Sequence, residues 1–93
     1  MDMNTIMQKY ENALGLTAYV VWMYALALNA LKTAHTKPQL AKLSRLRYDL
    51  EQLLHGKTSW LLNDNFEYGD VKADVAELLK ECQKLYATLT AKS

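Results

Sequence analysis

The sequence predicts an all-α protein: a small helical bundle of three long helices plus a short helical turn, completed by homodimerisation through the first helix. Three observations carry this prediction. Apolar residues recur at alternating spacings of three and four along most of the chain, the repeat of one helical face. Three glycines and one proline in 93 residues leave few breaks, which favours a few long elements over many short strands. No stretch shows the period-two alternation of a half-buried strand.

A chain of this length forms one domain, 1–93, and removes only about 60–65% of its unfolded surface from water. A hydrophobic fraction of 51% against 23% charged residues reads as globular rather than disordered.

The first helix is expected over about 4–35. Ile6, Tyr10, Ala13, Thr17, Val20, Tyr24, Ala27 and Leu31 make one stripe, with Met7, Leu14, Ala18, Val21, Ala25 and Leu28 beside it. Gly15 offers a point at which this helix could bend or split off its first turns, and the sequence alone leaves open whether it does. Thr36 and Pro38 read as the opening of a new element, since proline suits a first helical turn.

The second helix, about 38–55, buries Leu40, Leu43, Leu46, Leu50, Leu53 and Leu54, and Gly56 is its left-handed stop. An irregular segment, 56–69, carries a short turn that takes Trp60, Leu61 and Leu62 into the core. The third helix, about 70–90, keeps a heptad beat through Val71, Val75, Leu78, Cys82, Leu85 and Leu89. Asp70 and Asp74 near its start suit the positive end of the helix dipole.

From Asn12 to Leu31 the chain carries no charge. That run has the length of a membrane span, but Thr17, Tyr19, Trp22, Tyr24 and Asn29 are scattered through it rather than gathered at its ends. A small membrane-associated protein spanning with residues 12–31 is therefore a less favoured reading than either protein or nucleic-acid binding. The run does not read as a secretory signal either, because Asp2, Lys9 and Glu11 give a net negative start where a positive one is needed. Cys82, the single cysteine, excludes an intramolecular disulfide and fits a reducing, cytoplasmic setting.

On the side of the first helix away from its two stripes lie Tyr19, Trp22 and Leu26, flanked by Met23. Leaving them in water forgoes about 1.5–3 kcal/mol for each large apolar side chain that could be covered. Either the first helix is the central rod of a monomer, or it packs on its copy across a two-fold axis. Three long helices do not easily enclose one of themselves, which favours the dimer.

No chemistry-bearing constellation appears. His35 and His55 sit at helix ends without metal-ligand spacing, Cys82 falls on a core beat, and there is no nucleophile–base pair or phosphate loop. Arg47 and His55 are one residue too far apart for the Arg…His motif of helical HEPN ribonucleases, so that activity is not inferred. The expectation is a non-enzymatic protein without cofactor or metal.

It would act as an inhibitor, immunity, adaptor or chaperone-like module that binds another protein. Its contact residues are Tyr19, Trp22, Met23 and Leu26, with Trp60, Phe66 and Tyr68 as a second patch. For Trp60 the competing role is a core anchor of the turn.

The alternative is a dimeric nucleic-acid-binding protein using Lys37, Lys42, Arg45 and Arg47 of the second helix. Against it stands a formal net charge of only +1. Residues 32–57 hold six cations against two carboxylates, and residues 64–84 hold six carboxylates against three cations. Such segments pair within the fold or across a dimer.

Overall fold

The computed structural model describes residues 3–33, 40–63 and 71–91, and every regular element among them is helical. Four α-helices, α1 (Met3–Glu11), α2 (Leu16–Thr33), α3 (Leu40–His55) and α4 (Val71–Ala91), are joined by a short 3-10 turn at Ser59–Asn63.

The first helix expected from the sequence is two helices. The chain leaves α1 at Asn12 and passes through Gly15 at φ 107°, a left-handed conformation that side chains resist. It then re-enters helix at Leu16. α1 folds back along α2 as an antiparallel hairpin, so that Met3, at its start, lines the same cleft as Leu28 and Lys32 near the end of α2.

The left-handed residue resets the rotation of the chain, so the stripes drawn through Gly15 do not continue. In α1 the buried face is Met3, Ile6 and Tyr10; in α2 it is Thr17, Ala18, Val21, Ala25 and Leu28. Leu14, expected in the core, is 87% exposed at the joint, and Ala27 is exposed as well.

α3 buries Leu43, Leu46, Leu50 and Leu53, and α4 buries Val71, Val75, Leu78 and Cys82, as their leucine and heptad beats predict. These two helices pack on each other most extensively. Pro38 and the proposed cap before it lie outside the described residues.

Gly56 is not left-handed, because Gly15 is the one glycine at positive φ among the described residues. Its role is closeness: a Cβ there would come within 2.9 Å of the Gln52 Cα, a backbone atom that cannot swing aside. Gln52 accepts the Gly56 N–H at its carbonyl (2.9 Å) and the Lys57 N–H at its side-chain oxygen (3.2 Å), closing the end of α3.

The 3-10 turn corrects a second expectation. Successive side chains of a 3-10 helix stand about 120° apart, so three in a row cannot all face inward. Leu61 and Leu62 take the core positions, and Trp60 is left 59% exposed. The turn is fastened to α2 by the Thr17 hydroxyl, which donates to the Leu61 carbonyl at 2.7 Å.

Asp74 lies in the first turn of α4, as the dipole argument expects, and is buried there. It is 3% exposed and accepts from both Lys9 Nζ (2.6 Å) and Tyr10 Oη (2.5 Å), tying α4 to α1. The carboxylate sits among apolar side chains because two donors from α1 meet it there.

The Cα envelope measures 42 × 26 × 18 Å. At interaxial distances of about 8–10 Å, its short dimension holds two helix layers. That is too thin to close around a central rod, so α2 keeps one face outside.

Candidate interaction face

Once the helix restarts at Leu16, spacings of three and four place Leu16, Tyr19, Met23, Leu26, Ala30 and Thr33 on one line, and all six are exposed. Leu16 is 61%, Tyr19 54%, Met23 43% and Leu26 39% exposed. The opposite side of α2 is the buried face Ala18, Val21, Ala25 and Leu28, so the exposure follows from amphipathic placement rather than from loose packing. In all of α2 the one charged residue is Lys32. Its ammonium lies 3.7 Å from Glu81 of α4, at the far end of the line.

Of the sequence-predicted contact residues, the structure places Tyr19, Met23 and Leu26 on this line. Trp22 is half-buried at its edge, its ring 6.2 Å from that of Tyr19 at a tilt of 46°. Trp60 belongs to the turn that Thr17 holds beside the start of α2, off the line itself. Phe66 and Tyr68 lie outside the described residues. Sequence reasoning missed Leu16 and Ala30, because the outward row drawn through Tyr19, Trp22 and Leu26 leads on to Gly15 and Asn29, whereas the exposed line runs through Met23. Counting from Leu16 recovers both.

Along one edge of the line runs an open cleft of about 380 Å³ between α2 and α3. Met23, Tyr24, Ala27 and Leu31 form its α2 wall; Lys42, Arg45, Leu46 and Asp49 form the other. Its floor is apolar and its rim carries both signs of charge. The Tyr24 phenol is held above its usual pKa by burial, then by the Asp49 carboxylate, with Arg45 acting in the opposite direction.

The basic residues of the alternative reading are arranged differently. Arg45 pairs with Asp49 at 3.3 Å and Arg47 with Glu51 at 3.4 Å, each four residues along α3. Lys42 edges the cleft, and Lys37 lies outside the described residues. Two of the cations therefore already face carboxylates of their own helix, which lowers the potential that phosphate would meet.

Cys82 is buried, donates to the Leu43 carbonyl at 3.6 Å, and has its pKa pushed up to about 11, chiefly by burial. A thiol so protonated is a weak nucleophile. Among the described residues no group of three or more His, Cys, Asp or Glu is placed to hold a metal. No helix there is long and apolar enough to cross a membrane.

Comparison with protein-family models, with curated proteins and with solved structures finds no match to this chain.

Proposed function

We propose that this chain is a non-enzymatic protein-interaction module whose working surface is the uncharged outer line of α2. The observation that supports the reading is the coincidence of exposure and character. Four large apolar side chains in heptad spacing stand in water on a helix whose other side is fully packed. Uncharged, aromatic- and methionine-bearing surfaces of this kind form the centres of protein interfaces. Heptad spacing suits a helix as the docking element. Inhibitor, immunity, adaptor and chaperone-like roles all work through such a face. The two-fold contact expected to complete the bundle is one case of the same docking.

The test is a pair of charge insertions, Tyr19→Glu and Leu26→Glu, at exposed positions where the helix itself tolerates them. Cross-linking in the native cell followed by purification should recover a specific protein with the wild-type chain and lose it with both variants, while circular dichroism and the melting midpoint stay unchanged. Recovery of the same protein with the variants would retire this face as the working surface.

A further inference from the structure

We propose that the occupant of the α2 line is a second copy of this chain, laid antiparallel across a two-fold axis that passes between Met23 and Leu26. The inference rests on the docking reading above and names its partner.

The argument begins with size along the helix. The first half of the line carries Leu16, Tyr19 and Met23; the second carries Leu26, Ala30 and Thr33. An antiparallel two-fold pairing sets residues equidistant from the axis opposite each other. Leu16 then meets the partner's Thr33, Tyr19 meets the partner's Ala30, and Met23 meets the partner's Leu26. In each outer layer a large side chain faces a small one, the alternation by which facing layers interdigitate. A parallel pairing would stack Tyr19 on Tyr19 at one end and leave Ala30 facing Ala30 across a gap at the other.

The flanks agree with the same register. Trp22 comes opposite the partner's Asn29, and Val20 opposite the partner's Ala27. Trp22 brings an indole N–H, a donor only, to an amide that offers an acceptor. Ala27 and Ala30 also edge the cleft between α2 and α3, so the incoming Tyr19 ring enters that cleft. Its apolar floor covers the ring while Lys42 and Arg45 at the rim lie within reach of the phenol.

Electrostatics points the same way. A face without charge meets its own copy with no like-charge repulsion, because Lys32 sits at the end of the helix against Glu81. A lipid surface is a poorer match, since an interfacial helix carries its cations beside the apolar face and α2 has none there. The exposed line offers four large apolar side chains and two small ones, far fewer than the roughly 20–30 residues a side of a standard interface. The dimer is therefore one that dissociates on dilution.

Sedimentation of the full chain over a concentration series, with variants at exposed positions, tests the register. The wild type should pass from monomer to dimer as concentration rises. Tyr19→Ala and Ala30→Tyr should each weaken the dimer by about tenfold or more. The double variant Tyr19→Ala/Ala30→Tyr should restore it to within a few-fold, because the large and small partners have merely exchanged places across the axis. Unchanged circular dichroism checks that all three variants fold. A wild type that is monomeric at every concentration overturns the proposal, as does a double variant no better than the worse single. Either result leaves the docking face itself standing if Tyr19→Glu and Leu26→Glu still lose their protein in cells.

Discussion

The polar tie between α1 and α4 gives the sharpest test of how the fold is held. Replacing Asp74 by Ala removes the acceptor shared by Lys9 and Tyr10, whose side chains approach it at 2.6 and 2.5 Å. Deleting one member of a buried ion pair costs about 3–5 kcal/mol, because the remaining charge stays desolvated. Here Lys9 is 23% exposed, so its ammonium recovers part of its hydration, and about 2–4 kcal/mol is the expected loss. A domain of this size has about 5–15 kcal/mol in total and loses roughly 4–8 °C in Tm per kcal/mol. The melting midpoint of Asp74→Ala should therefore fall by about 8–32 °C, read by far-ultraviolet circular dichroism. Tyr10→Phe, which keeps the ring and removes one donor, should lose about 1.5–3 kcal/mol. Hydrogen exchange should show α1 amides losing protection well before those of α3 and α4. A loss below about 0.5 kcal/mol for Asp74→Ala, the range of an ordinary surface substitution, would refute the buried tie.

Four further outcomes follow from particular residues. Gly15→Ala meets no atom within 4 Å but keeps φ at 107°, so it should cost about 1–2 kcal/mol through backbone strain alone, measured by urea unfolding. The Cys82 thiol ionises at about 11 in the fold against an ordinary 9.0. The unfolded chain thus releases its proton first, and stability should fall as pH rises from 9 toward 11. Cys82→Ala should flatten that difference in denaturation midpoints. Trp60→Ala, at an exposed position, should change stability by less than about 1 kcal/mol. Thr17→Val, which removes the hydroxyl that binds the Leu61 carbonyl, should cost about 1–2 kcal/mol by chemical denaturation because that buried carbonyl loses its donor.

What could be read in advance divides by the range of the interaction responsible. α3 and α4 follow from periodicity alone, since Leu43, Leu46, Leu50 and Leu53, and Val75, Leu78 and Cys82, face the core where their spacing puts them. The break in the first helix is marked by Gly15, but the fold-back is not, because an uninterrupted helix and a hairpin place nearly the same residue types on a buried side. The hairpin is held by the contact of Tyr10 and Lys9 with Asp74, more than sixty residues away, and no local pattern announces that partner. Trp60 was misplaced for a smaller reason: three consecutive large residues cannot share one face of a 3-10 turn, and nothing local says which is left outside. The proposed interaction face lies between these cases. Its aromatic centre, Tyr19, Met23 and Leu26, stands out in the sequence as uncharged surface with nowhere to go. Its extent toward Leu16 and Ala30 depends on whether the row is traced through Trp22 or Met23, which the sequence leaves open and burial decides. The left-handed glycine shapes the surface in one respect: the chain turns back there, so the exposed line begins at Leu16 and does not run on into α1.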